Sequence, residues 1–278
     1  MKPFIILCCL VMSYSLLAFE VVTSQFKGAY TGIVKPITIV LPNNYNRDQQ
    51  YHVIYVLHGF SGLHSDWTQN TNIAELADQY NVIVVNPDGN YGSWYIDSDI
   101  NKQSQYETYI AKDVVNFIDS NYATRRAKQG RAITGLSMGG VGALHIAINH
   151  QETFAAVSAM SAGVDLRPFS AEFGLAKVLG DYATNKQKWH DLAIINNLHK
   201  LAEGNTQWKK STDSLAIMLD IGSNDFFIAQ NRALHRAMLE LRIRHDYVER
   251  AGAHDWHYWS KVLPYQFLFL TSHMVMEE

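Results

Sequence analysis

Residues 135–140 read Gly-Leu-Ser-Met-Gly-Gly, and this stretch restricts the fold more tightly than any other part of the chain. A short apolar segment ending at Thr134 precedes it, and a helix-compatible run from Val141 to Ile148 follows. A Gly-x-Ser-x-Gly between a strand and a helix demands a turn so sharp that the serine backbone is strained. The chain two residues to either side then passes close by, so Gly135 and Gly139 leave room that a Cβ would fill. Such a turn exposes Ser137 Oγ and directs the first N–H groups of the next helix at any negative charge developing there. The same hexad also fits an ordinary flexible loop. The rest of the chain must therefore supply a base, an acid and oxyanion donors.

The hydrophobic pattern around the hexad predicts an α/β chain. Strands are expected over 19–26, 32–41, 51–57, 82–85, 131–134, 154–160, 215–221 and 244–250. Helices are expected over 72–80, 105–121 and 226–241, with a last one from Trp256 to the C-terminus. Strands alternating with helices predict a mostly parallel, doubly wound central sheet. The first two strands have no helix between them and should form an antiparallel edge. Residues 161–213 break the rhythm with Gly, Pro, Trp, Asn and Lys in weak periodicity. They read as a partly helical, lid-like insertion over the site. With 278 residues the chain can fill one large α/β domain, expected over 19–278.

The N-terminus opens Met1-Lys2-Pro3, continues apolar to Leu10, and reaches Leu16-Leu17-Ala18. One positive charge, a short apolar core and a small residue describe a signal peptide over 1–18, and hence a secreted or periplasmic protein. A membrane anchor is the alternative; Ser13, Tyr14 and Ser15 interrupt the run and it is short for a span. Cys8 and Cys9 are the two cysteines of the chain, and both fall in this segment. The mature protein would then carry no thiol, so its nucleophile must be a hydroxyl or a carboxylate. A net charge of −3 with no basic block argues against nucleic acid as a partner.

The acid is expected in the loop after a late strand. Leu215 to Asp225 offers Asp220, inside or at the end of the strand, and Asp225, in the turn before the next helix. The loop position favours Asp225, which would otherwise serve as the helix N-cap. Asp220 would support the loop. The base should follow one more strand, where Gly252-Ala253-His254-Asp255-Trp256-His257 lies. His254 follows the small residues of the loop, and His257 falls one turn later. His254 is the favoured base, with Nε2 near Ser137 Oγ and Nδ1–H held by Asp225. The 254/257 pair resembles half a metal site, but no third ligand or Glu-based zinc motif accompanies it. No metal or organic cofactor is expected. The oxyanion donors should be Met138 N–H, after the nucleophile, and an N–H from the loop His58-Gly59-Phe60-Ser61-Gly62. Phe60 is the first choice there and Ser61 the second.

Taken together, these segments resemble the esterase D family of α/β-hydrolases. The resemblance is carried by Tyr55 to Gly59, Ser93-Trp94-Tyr95, Tyr106-Glu107-Thr108-Tyr109, the 135–140 hexad, Asp220 to Phe227 and Gly252 to Trp259. It runs from about residue 20 to the end. It implies the α/β-hydrolase fold, Ser137, Asp225 and His254 as the triad, and Phe60 and Met138 as oxyanion donors. It also implies a structural role for Glu107 behind the elbow, and places Trp94 and Tyr95 near the substrate, although core aromatics is an equally good reading of that pair. The activity implied is a secreted serine carboxylesterase acting on small esters of short acyl chains. Alternatives are an acyltransferase using the same triad, a thioesterase like the S-formylglutathione hydrolases, and a hydrolase-like fold kept for binding. Acyl length, alcohol partner and oligomeric state are not written in the sequence.

Overall fold

The computed structural model describes residues 20–201 and 214–274. The expected signal segment 1–18 and the 202–213 part of the expected insertion lie outside the described residues. Eight strands form one sheet: β1 (Glu20–Lys27), β2 (Val34–Leu41), β3 (His52–Leu57), β4 (Val82–Pro87), β5 (Arg131–Leu136), β6 (Ala156–Met160), β7 (Ala216–Gly222) and β8 (Asp246–Arg250). Their spatial order is β1-β2-β4-β3-β5-β6-β7-β8. All pairs from β4 to β8 are parallel, whereas β2 runs antiparallel to both β1 and β4. The mostly parallel sheet and its antiparallel N-terminal edge are therefore as the sequence predicts.

Both faces of the central strands are covered, which explains their near-continuous apolar sequences. Every residue of β4, β5 and β6 is buried. On the edge strand β1, part-buried and exposed residues alternate. Successive residues of each central strand feed opposite cores. Tyr55, Ile133, Val157 and Leu219 pack into one, Ile54, Val56, Ala132 and Met218 into the other. Helices α1 (Asp66–Asn70), α2 (Ile73–Gln79) and the last helix (Trp256–His273) close the second core. The first is closed by α3 (Tyr106–Thr108), α4 (Val115–Asn121), α5 (Met138–Asn149), the segment 161–201, and the helix Ile228–Glu240.

The single helix expected over 105–121 is α3 and α4 joined by a π-helical stretch, Tyr109–Val114. Asp113, in that stretch, accepts from Tyr30 N–H, Thr31 N–H and Thr31 Oγ1–H and so pins the β1–β2 turn to the helix. Residues 161–201 contain α6 (Ala176–Leu179), α7 (Lys186–Leu192) and two 3₁₀ segments, Arg167–Phe169 and Ile194–Leu201. The helices Ile228–Glu240 and Trp256–His273 are α8 and α9 from here on. Among the described residues, no helix is long and apolar enough to cross a membrane. The C-terminal ends of β3, β5 and β7 open on the same edge of the sheet. That edge is where open α/β sheets place their ligands.

Candidate active site

Ser137 joins the end of β5 to the start of α5, with φ 54° and ψ −115°. This backbone is unfavourable for a residue with a Cβ. It persists because the surroundings fix it from both sides. Ser137 N–H donates to Met160 O at 2.9 Å, and Ser137 O accepts the Val141 N–H at 3.1 Å. The glycines are dictated by the same packing. A Cβ on Gly139 would lie 2.4 Å from Leu57 O and 2.6 Å from His58 O, and one on Gly135 would lie 2.5 Å from Gly139 O. Only a chain bare at both positions lets α5 begin directly against the end of β3.

Two distant loops complete the geometry. His254 Nε2 lies 2.9 Å from Ser137 Oγ, across 117 residues of sequence. His254 Nδ1 lies 2.8 Å from Asp225 Oδ2. A carboxylate only accepts, so Nδ1 carries the ring proton, and Nε2 is left to take the Ser137 hydroxyl proton. Asp225 is 2% exposed, and its other oxygen accepts the Phe227 N–H at 2.8 Å. It thus orients the imidazole and also shapes the turn into α8. The imidazole is boxed by rings: Phe226 at 4.2 Å, Trp259 edge-on at 5.0 Å and Phe227 at 5.5 Å between centroids.

Asp220, the other acid candidate, points elsewhere. It is fully buried and takes hydrogen bonds from Tyr258 Oη at 2.5 Å, Gln266 Nε2 at 3.0 Å and Arg250. Burial pushes its pKa up, against the opposing pull of Tyr258 and Arg250. Its contacts tie β7 to β8 and α9. His257 is exposed on the first turn of α9. Among the described residues, no group of three or more His, Cys, Asp and Glu side chains converges as metal ligands would.

The loop after β3 comes close to Ser137; a Cβ on Gly59 would lie 3.6 Å from Ser137 Cβ. Ser61 N–H is already committed, donating to Tyr91 O at 2.7 Å. Among the described residues, Phe60 N–H and Met138 N–H, the first of α5, find no protein acceptor. Free N–H groups beside a serine can hold an oxygen that becomes an anion.

Residues 30–270 match the model of the family described as "Putative esterase". The chain belongs to that family. It is a carboxylic-ester hydrolase with the α/β-hydrolase fold. An acetyl esterase of Caldicellulosiruptor saccharolyticus is 28% identical over 224 residues, covering 78% of this chain and 82% of that protein. A solved ferulic acid esterase superposes with TM-score 0.78 at 25% identity, covering 92% of this chain and 99% of the other. The S-formylglutathione hydrolase of Staphylococcus aureus has the same fold, with TM-score 0.77, 18% identity, and coverage of 91% and 99%.

In this esterase, Trp94 and Tyr95 sit in different surroundings although adjacent in sequence, and both have φ 55°. Trp94 borders the site: its ring lies 6.4 Å from Phe60 and 6.1 Å from Phe173, and its Nε1–H donates to Phe173 O at 3.4 Å. Tyr95 does not line the site. It is fully buried against Gly142 of α5 and Gly89, and its hydroxyl donates to His58 O at 3.2 Å. Packing against the helix behind the serine leaves it no surface for substrate. Glu107 bridges His145 at 2.9 Å and His150 at 3.2 Å, and accepts from Asn149 at 3.0 Å. Burial opposes ionisation of Glu107, but the bonds from His145 and His150 outweigh it and hold its pKa well below the usual carboxylate range. The cluster braces the far end of α5.

Sequence reasoning missed an aromatic wall. Rings run from Tyr91 through Phe60 at 4.9 Å, Phe173 at 5.7 Å and Phe226 at 6.4 Å to His254. Tyr91 is 65% exposed and Phe226 49% exposed. Large apolar rings left open around Ser137 suit an apolar part of a ligand. The Phe226-Phe227 pair directly after Asp225 was a readable signal. Phe173 was not, because it comes from the weakly patterned insertion.

Proposed function

We propose that this esterase is a serine carboxylesterase in which Ser137 is the nucleophile, His254 the general base and Asp225 the residue that orients it. The relay from Asp225 Oδ2 through His254 to Ser137 Oγ, with contacts of 2.8 and 2.9 Å, carries the reading. Ser137 Oγ attacks the ester carbonyl while its proton passes to His254 Nε2. Phe60 and Met138 N–H groups stabilise the oxyanion. His254 then protonates the departing alcohol, and water repeats the sequence on the acyl-enzyme to release the acid. The substrate is proposed to be a small ester with a short acyl chain. Export through residues 1–18, one domain over 19–278, and a lid-like role for 161–213 belong to the same proposal.

The aromatic wall favours a second substrate reading, an ester with a planar aromatic acyl group. The likeness to a ferulic acid esterase is consistent with it. One assay separates the two: hydrolysis of p-nitrophenyl esters from acetate to palmitate beside methyl esters of hydroxycinnamic acids, with wild type and Ser137→Ala. Ser137→Ala should lower kcat by on the order of 10⁶. Full activity in a folded Ser137→Ala protein would refute the serine mechanism.

A further inference from the structure

We propose that His58 is a positioning residue for the oxyanion site, holding the peptide that carries the Phe60 N–H. The proposal rests on the reading of Phe60 as an oxyanion donor. His58 follows the last residue of β3 and is 1% exposed. Its Nε2 receives the Gly89 N–H at 2.8 Å. A backbone N–H can only donate, so Nε2 is unprotonated and the ring proton is on Nδ1. Nδ1 lies 2.8 Å from Gly59 O and therefore donates to it.

The consequence follows from peptide geometry. Gly59 C=O and Phe60 N–H belong to one planar trans peptide, since the described chain has no cis bond. Fixing the oxygen fixes the N–H on the opposite edge. Gly62 N–H holds the same oxygen at 3.1 Å. The carbonyl thus accepts two hydrogen bonds, and acceptor bonds of this kind polarise a peptide and make its N–H a stronger donor. Ser61, at φ 61°, turns its own N–H away to Tyr91 O. The Phe60 N–H is left unshared, while the N–H groups of Ser61 and Gly62 are engaged. Burial lowers the His58 pKa, outweighing the hydrogen bond to Gly59 and the nearby Asp88 and Asp66 that favour the charged form, in keeping with a neutral ring whose Nε2 keeps its lone pair for Gly89.

Two substitutions separate the two bonds of His58. In His58→Asn the amide nitrogen takes the place of Nδ1 and keeps the donor to Gly59. In His58→Gln the terminal group reaches the Nε2 position and keeps the link to Gly89 but not the one to Gly59. The measurements are kcat and KM for p-nitrophenyl butyrate, melting temperature, and inhibition by n-butylboronic acid. In that adduct an Oγ–B bond forms, the Oγ proton passes to His254, and an oxygen on tetrahedral boron occupies the oxyanion position. Removing an oxyanion donor costs about 10²–10³ in kcat, so misdirecting one in His58→Gln should cost roughly 10–100-fold, with KM nearly unchanged and boronate affinity falling in step. His58→Asn should stay within several-fold of wild type. Equal loss in both variants, a larger loss in His58→Asn, or a fall in melting temperature alone overturns the proposal and leaves the serine mechanism standing. Wild type that ignores the boronate and does not need Ser137 fails the mechanism itself, and the proposal with it. A check free of variants is the ¹⁵N spectrum of His58 in the wild-type protein: a proton on Nδ1 is expected, and one on Nε2 overturns the assignment.

Discussion

Asp225→Asn is the substitution whose consequence the geometry fixes most closely. One carboxylate oxygen stands 2.8 Å from His254 Nδ1 and the other 2.8 Å from Phe227 N–H. An amide offers only one oxygen. If that oxygen faces Phe227, the NH₂ faces Nδ1, which must then accept. The ring proton moves to Nε2, and Ser137 loses its base. If the amide is flipped, NH₂ confronts the Phe227 N–H and leaves a buried donor unpaired, at about 1–3 kcal/mol. The first arrangement is the cheaper, and it is the inactive one. In Ser-His-Asp enzymes the wrong tautomer costs about 10⁴ in kcat, or about 5.4 kcal/mol of transition-state stabilisation. The assay is the initial rate on p-nitrophenyl butyrate, with KM expected to hold because Asp225 is buried, with one oxygen on His254 Nδ1 and the other on Phe227 N–H. Asp220→Asn is the comparison. Its partners are Tyr258, Arg250 and Gln266, so it should lower the melting temperature while kcat stays within about tenfold of wild type. The reasoning is refuted if folded Asp225→Asn keeps more than about a tenth of wild-type kcat, or if Asp220→Asn is the variant that loses about 10⁴.

Two further predictions concern stability. Gly139→Ala would place a Cβ 2.4 Å from Leu57 O, and neither the strand end nor α5 can move away cheaply. Overpacking of this kind costs about 3 kcal/mol, which calorimetry should register as a fall in melting temperature of roughly 6–12 °C; an unchanged melting temperature contradicts the close approach. Glu107→Gln removes the ionic partner of His145 and His150 and should cost about 2 kcal/mol where both sides are charged. The pKa of Glu107 is depressed below its ordinary 4.5, so its contribution is present above that pH and is lost on acidification through the lowered value. His150, hydrogen-bonded to Glu107, is raised above its ordinary 6.5, so its contribution is full below that pH and fades as the pH climbs through the raised value. The stability gap between wild type and Glu107→Gln should therefore be widest between pH 4.5 and 6.5. A gap independent of pH would deny the pair its ionic character.

The parts of this protein legible in its sequence are those set by short-range sterics and hydrophobic period. The hexad at 135–140 points to strand, strained serine and helix, because an apolar strand before it and a helical run after it give the glycines at 135 and 139 a steric reason to flank that serine. The parallel sheet and its antiparallel edge followed from the spacing of apolar runs. The family was legible in the ordered set of short motifs. What local sequence could rank but not fix was each choice between near neighbours. Asp220 and Asp225 are five residues apart on one strand and its loop, yet one faces Arg250 and Tyr258 and the other His254. His254 and His257 differ by one helical turn, and only His254 reaches Ser137. Phe60 and Ser61 are adjacent, and it is the commitment of Ser61 N–H to Tyr91 that separates them. Tyr95 reads like a ligand contact beside Trp94 but is spent on packing against α5. These choices depend on which strand ends come together, and the C-terminal ends of β3, β5, β6, β7 and β8 line up along one edge only once the sheet is assembled. The sequence by itself determined the elbow, the class of fold and the kinds of residue the chemistry needs. The tertiary structure decided which copy of each residue meets Ser137, because hydrogen-bond partners across 29 and 117 residues are selected by strand order and register, which no local pattern encodes.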